Sequence, residues 1–144
     1  VVLRKPGKLT DEEFAVIKSH PSFGTDTLIK VHQEVEGDPL LQMAAEISLY
    51  HHERWDATGY PVGLGGEDIP LSARITAIAD VFDALMSPRV YKPAMPLDKV
   101  RAIIVDSSGT HFDPRVVDAF FAVESELCLI REQHAEPESA QLAA

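Results

Sequence analysis

Leu71-Ser72-Ala73-Arg74-Ile75-Thr76-Ala77-Ile78-Ala79-Asp80-Val81-Phe82-Asp83-Ala84-Leu85 is the stretch from which the fold is read. Ile75, Ile78, Ala79, Phe82 and Leu85 recur at intervals of three and four, the period of an α-helix with one face toward a core. The same period extends in both directions. Upstream, Thr10-Asp11-Glu12-Glu13 reads as a capping box, with Leu9 and Phe14 at the positions of a hydrophobic staple, and predicts a helix to about Ser19. A second helix is predicted from near Pro21 and carries Phe23, Thr27, Leu28 and Val31. Glu36-Gly37-Asp38 breaks the chain, and Asp38-Pro39 supplies an N-cap with Pro at the first helical position. The third helix places Leu40, Leu41, Met43, Ala44 and Ile47 inward and ends around His51-His52. Downstream, one helix runs from about Leu97 to Ser108 and stops at Gly109. The last starts at Asp113-Pro114 and buries Val116, Val117, Phe120 and Phe121. The reading is all-α, with about six helices.

Between the third and fourth helices, Gly59, Pro61, Gly63, Gly65, Gly66 and Pro70 make residues 53–70 a long ordered loop. Loops of that length inside compact domains are uncommon and usually functional. Beyond Leu129 little remains to bury, so residues 131–144 read as a polar tail, either a frayed helical extension or disordered. The 144 residues suffice for one domain. The opening Val1-Val2-Leu3, with no Met, predicts a piece of a longer chain. Lys plus Arg number 13 against 23 Asp plus Glu, for a net charge of −10. That balance disfavours a binder of nucleic-acid polymers or membrane surfaces, which are held by excess positive charge. A small phosphorylated ligand needs only a local basic patch. The single cysteine, Cys128, can form neither an internal disulfide nor a Cys-based zinc site by itself. With no apolar run of membrane-helix length and no basic-then-apolar leader, the expected location is the cytoplasm.

The chemistry-bearing residues are His20, His51-His52 and Asp80, each at or near a helix end or on a helix facing the glycine-rich loop. Imidazoles and carboxylates are the ligand set for zinc, iron or manganese. Adjacent helical residues point about 100° apart, so the doublet suits two ions, or one ion and one substrate group, better than a single shared ion. Polar residues at solvated helix ends are the plain alternative, and spacing alone leaves both open.

His51-His52-Glu53-Arg54-Trp55-Asp56-Ala57-Thr58-Gly59-Tyr60-Pro61 closely resembles the signature of the HD-GYP family of cyclic di-GMP phosphodiesterases, a branch of the HD hydrolases. Lys5-Pro6-Gly7-Lys8-Leu9-Thr10, Ile69-Pro70 with Ala73-Arg74-Ile75, Ala79-Asp80-Val81-Phe82-Asp83-Ala84-Leu85 and Gly109-Thr110-His111-Phe112-Asp113-Pro114 also resemble that family, in order, to about residue 125. The resemblance implies a helical bundle of the HD-hydrolase type holding two or three divalent metal ions, iron or manganese. It implies His20, His51, His52 and Asp80 as metal ligands, with Asp80, His51 and His52 catalytic. Arg89 and Lys92 match residues that contact the substrate phosphates; three apart, they can share one face of a helical turn. Gly59, Tyr60 and Pro61 form the motif loop, and Tyr60 belongs with the substrate contacts. Trp55 and Tyr60 could stack on guanine or plug the core. The implied reaction is metal-assisted hydrolysis of cyclic di-GMP to the linear dinucleotide and/or GMP. The implied partners are an attached sensory or receiver domain and a diguanylate cyclase (GGDEF) domain docking on the Gly-Tyr-Pro loop.

Two features depart from the family pattern. The namesake His-Asp pair belongs upstream of Lys5-Pro6. Residues 1–130 therefore read as the C-terminal part of an HD-GYP domain whose remaining ligands lie upstream, with weak or no turnover expected of this chain alone. A catalytically degenerate module that binds ligand or docks a cyclase is the alternative; a hydrolase for another cyclic dinucleotide ranks below it. Ala57 stands where relatives usually carry Gly, and a positive φ there would cost about 1 kcal/mol. Asp83, one turn after Asp80, could orient a ligand or face solvent, and His111 is expected to serve local structure ahead of Asp113.

Overall fold

The computed structural model describes residues 5, 7–34, 38–88 and 93–134, which form six α-helices and no strand. Helix α1 (Asp11–Lys18) starts on the capping box: the Glu13 N–H donates to Thr10 Oγ1, and the Glu13 carboxylate takes the Thr10 N–H at 2.7 Å. Helix α2 (His20–Glu34) follows after Ser19 alone. Helix α3 (Pro39–Tyr50) begins where the Asp38 side chain accepts the Leu40 N–H at 2.9 Å. After a loop broken only by a 3-10 turn at Gly66–Asp68 come α4 (Leu71–Met86), α5 (Leu97–Asp106) and α6 (Pro114–His134). Helix α5 stops short of the expected Ser108. The Ser107 carbonyl takes the N–H groups of Thr110, His111 and Phe112, turning the chain at Gly109, whose φ is 76°. Helix α6 runs past the apolar pattern into the expected tail, where the Arg131 guanidinium donates to the Met86 carbonyl.

Ile78, Phe82, Val100, Ile104, Phe112, Val116, Val117 and Phe120 form one core cluster among α4, α5 and α6. Fully burying each such side chain stabilises the fold by about 1.5–3 kcal/mol. The inward face of α4 is Ala73, Ala77, Ile78 and Phe82, so two members of the expected stripe are corrected: Ile75 is 51% exposed, and Ala79 is exposed too. Small alanines let neighbours approach but carry little hydrophobic signal. Leu40 (70% exposed) and Met43 (49%) on α3 also point outward, contrary to expectation, and Phe23 and Val31 on α2 are exposed as well. The reason is geometric: α2 and α3 bury their facing sides against each other, which leaves these side chains on the outer faces.

That pairing positions the histidines. The helices run antiparallel and touch where Gly24 meets Ser48; a Cβ at Gly24 would collide with the Ser48 hydroxyl. The buried Thr25 hydroxyl lies 2.8 Å from the Pro21 carbonyl and 3.4 Å from that of Ala45, and the Ser48 hydroxyl donates to the Pro21 carbonyl. One turn from this crossing on each helix, the start of α2 meets the end of α3. Helix α3 rests on α4 and so on the core.

A second tie joins the loop's far side to that core. Arg74 on α4 pairs with Asp113 at 2.6 Å, and Asp113 also caps α6 by accepting the Arg115 N–H at 2.9 Å. Burial pushes the Asp113 carboxyl up, but the Arg115 N–H and the Arg74 and Arg115 guanidiniums together hold it below its ordinary 3.8. A depressed folded pKa contributes stability that is complete above the unfolded value and lost as pH falls through the folded one. Asp113→Ala should therefore cost about 3 kcal/mol in urea unfolding at pH 7, because it strands the buried Arg74. Below pH 3.8 the gap between wild type and variant should narrow.

Candidate metal centre

His20 is the first residue of α2, His51 caps the C-terminus of α3, and His52 follows it. Each offers one nitrogen to a group whose members all lie within 4.8 Å of one another. The His51 and His52 rings stand 4.0 Å apart, and the His20 ring is 5.4 Å and 5.0 Å from them. His52 lies past the helix cap, in a turn, so the 100° separation of helical neighbours no longer holds. The doublet and His20 thus converge as one group.

The main chain fixes which nitrogens face inward. His20 Nδ1 is 2.7 Å from the Ile17 carbonyl, and His51 Nδ1 is 2.9 Å and 3.0 Å from the carbonyls of Ile47 and Ser48. A carbonyl oxygen only accepts, so each Nδ1 carries the hydrogen and each neutral ring keeps a lone pair on Nε2. Those two Nε2 atoms are 3.3 Å apart. Two lone pairs facing at that distance repel unless a cation lies between them, so a divalent metal ion fits the donor set. Burial, then the repulsion His51 and His20 would exert once protonated, push the His52 pKa down to about 4 against the opposing pull of Asp80. His52 is therefore neutral at physiological pH and presents a lone pair.

The glycine-rich loop roofs this group. Glu53, only 2% exposed, accepts the Val62 N–H at 2.7 Å and the Gly63 N–H at 3.0 Å. The Tyr60 N–H donates to the His52 carbonyl at 3.2 Å, and the Tyr60 ring stacks on His52 at 4.8 Å with an interplanar angle of 24°. Gly59 lies against the Glu53 backbone, where a Cβ would approach Glu53 Cα and Arg54 N to 2.5 Å. Only glycine fits there. Asp56 accepts both the hydroxyl and the N–H of Thr58, and Arg54 donates to Thr58 and Asp56. The Thr58 hydroxyl bond, with that N–H and Arg54, takes the Asp56 pKa down to about 2. The loop is anchored to the α5–α6 turn by Trp55 N–H to His111 O (3.1 Å) and Asp56 N–H to Thr110 O (2.9 Å). The Trp55 ring lies 5.9 Å from the Arg74 guanidinium, and the His111 ring stacks on Phe112 at 4.3 Å. Ala57 has φ 62°, in the left-handed region.

His20, His51, His52 and Tyr60 are thus brought together. Asp80 lies on the exposed side of α4, close enough for its charge to raise the pKa of both His52 and Tyr60, with its carboxylate outside the three-nitrogen group. Asp83 accepts the Ser87 hydroxyl at the end of α4. Arg89 and Lys92 lie outside the described residues. Sequence reasoning assigned no role to Glu53 or to the Arg74–Asp113 pair; the one available hint was a carboxylate at the threshold of a loop full of unpaired N–H groups.

The HD domain family matches residues 1–116 of the chain. A cyclic di-GMP phosphodiesterase of Vibrio cholerae is 57% identical over 129 residues, covering 90% of this chain and 26% of that protein. A cyclic di-GMP phosphodiesterase response regulator of Xanthomonas campestris is 48% identical over 126 residues, covering 88% of this chain and 32% of its own length. A 3′3′-cGAMP-specific phosphodiesterase of Vibrio cholerae is 42% identical over 130 residues, covering 90% and 24%. The chain spans about a quarter to a third of the length of these relatives.

Two substitutions probe the loop. Ala57→Gly removes the penalty of a left-handed alanine and should raise stability by about 1 kcal/mol, read as a higher midpoint in urea. Glu53→Ala leaves two N–H groups without their acceptor and should cost about 3 kcal/mol. The same variant should lose the ring-current shift of the His52 imidazole protons in NMR spectra, because Tyr60 is released.

Proposed function

The chain belongs to the HD domain family, and from that premise we propose that it hydrolyses the phosphodiester bonds of cyclic di-GMP to the linear dinucleotide and/or GMP. The observation that carries this reading is the convergence of three histidine nitrogens, two with facing lone pairs, beneath the Gly59-Tyr60-Pro61 loop. The similarity to proteins named cyclic di-GMP phosphodiesterases supports it. Residues 1–130 are read as the C-terminal part of an HD-GYP domain and 131–144 as its tail.

The family binds divalent metal. In this reading the metals are two or three iron or manganese ions, held by His20, His51, His52 and Asp80 together with ligands from upstream. When bound, such ions supply Lewis acidity toward the phosphodiester and toward water. The chain's own residues do the rest. Backbone carbonyls hold the Nδ1 hydrogens of His20 and His51, so both Nε2 atoms are aimed without a choice of tautomer. His52 needs no deprotonation at neutral pH. Tyr60 covers one face of His52 and excludes water from it. Burial, then the charge of Asp80, raises the Tyr60 pKa, so its phenol keeps a hydrogen to donate to substrate. Arg89 and Lys92 would neutralise charge on the nonbridging phosphate oxygens as it builds up.

The partners in this reading are a sensory or receiver domain and a GGDEF domain that docks on the Gly-Tyr-Pro loop. No described helix is long and apolar enough to cross a membrane; a cytoplasmic setting suits a nucleotide substrate. A second reading, hydrolysis of 3′3′-cGAMP, is favoured by the 42%-identical relative of that name.

The test uses the full-length protein, purified without oxygen, supplied with ferrous iron or manganese, and followed by chromatography on both dinucleotides. His51→Ala and His52→Ala should each lower cyclic di-GMP cleavage by on the order of 100-fold or more and reduce bound metal, with helical circular dichroism retained. A folded, metal-loaded protein that leaves cyclic di-GMP intact would overturn the first reading. Cleavage confined to 3′3′-cGAMP would establish the second.

A further inference from the structure

We propose that Lys18 binds the second phosphodiester of the cyclic dinucleotide, the one not being cut. The inference rests on the cyclic-dinucleotide reading above and adds a residue to it. Lys18 is the last residue of α1, two before His20. Its Nζ lies 4.8 Å from the centre of the Phe14 ring and 5.5 Å from that of Tyr60. Two cation–π contacts hold a long, flexible side chain in one region. The Tyr60 ring stacks in turn on His52. An exposed positive charge is therefore gathered beside the Tyr60 ring, the ring that covers His52.

That charge makes no ion pair among the described residues. Other described cations do: Lys5 pairs with Glu13 at 2.6 Å, Arg54 with Asp56, and Arg74 with Asp113. In a chain of net charge −10, a cation without a carboxylate beside the site is what an anionic ligand requires. Arg54, in the loop itself, is engaged by Asp56 and Thr58 and cannot turn to substrate without breaking those bonds. A cyclic dinucleotide carries two diester phosphates on opposite sides of its macrocycle. With one at the histidines, the other lies away from them, and Lys18, against the ring that covers His52, is the cation assigned to meet it.

A contact equally present in ground and transition states changes KM rather than kcat. In the full-length metal-loaded protein, Lys18→Met should raise KM for the cyclic dinucleotide about tenfold and move kcat by less than about twofold. Lys18→Arg should recover most of the loss, because guanidinium keeps the charge and stacks on aromatic faces. Lys30→Met removes the same charge from an exposed site about 15 Å along α2 from His20 and should leave KM near wild type. The deciding comparison is bis(p-nitrophenyl) phosphate, which has one diester and no second phosphate. The Lys18→Met penalty should be roughly tenfold larger on the cyclic dinucleotide than on this substrate. Equal losses on both would assign Lys18 to holding the Tyr60 loop and overturn the inference, as would an unchanged KM on both. Failure of the functional reading looks different: wild-type protein would then cleave bis(p-nitrophenyl) phosphate and leave both cyclic dinucleotides untouched, and the inference would fall with it.

Discussion

A carboxylate with almost no water around it sets the shape of the loop on which the site depends. Glu53 reaches nine and ten residues along the chain to take the N–H groups of Val62 and Gly63. Everything between must then fold back over it, which is why Gly59 lies against the Glu53 backbone and Tyr60 against His52. A buried acceptor is tolerated only when donors replace the lost water, and a loop's own backbone is a ready source of them. The helices bring three histidines together; Glu53 closes the lid above them. Anchors at Thr110 and His111 transmit the rigidity of the α4–α6 core to the same loop.

Helix starts were legible because caps are local. Thr10, Asp38 and Asp113 each accept a backbone N–H two or three residues on, and no distant contact enters the reading. Burial was less legible, because it belongs to the neighbours and not to the period. Leu40, Met43 and Ile75 have the right chemistry and spacing and still face outward, whereas Ala73 and Ala77, nearly silent in sequence, line the inward face of α4. The candidate site divides the same way. His20 and the doublet stood out as residue types beside a glycine-rich loop. Their convergence depends on the α2–α3 crossing at Gly24 and on the turn past the α3 cap, which no pattern of apolar residues encodes. Glu53 had no role assigned from sequence, because charge normally signals solvent. Ala57 was visible only as a departure from glycine, and its φ of 62° gives that departure a physical meaning.

The charge distribution follows a related logic. The chain is acidic as a whole, yet most of its described cations near the loop are engaged in structure: Arg74 in the core tie, Arg54 in the Asp56–Thr58 cluster, Arg115 between Glu67 and Asp113. Net charge therefore says little about the potential at the site. What an anion meets there is decided by the few groups whose charge is not already neutralised at hydrogen-bond distance.

His20 and His51 are 31 residues apart in sequence, and their Nε2 atoms face each other across 3.3 Å. An ion shared by them would tie the start of one helix to the end of the next and close the whole α2–α3 hairpin into a ring. In that role it would act as a removable cross-link, lending its binding energy to the folded hairpin and relieving the repulsion between the facing lone pairs. Removing the ion would then loosen the join between the two helices as well as empty the site.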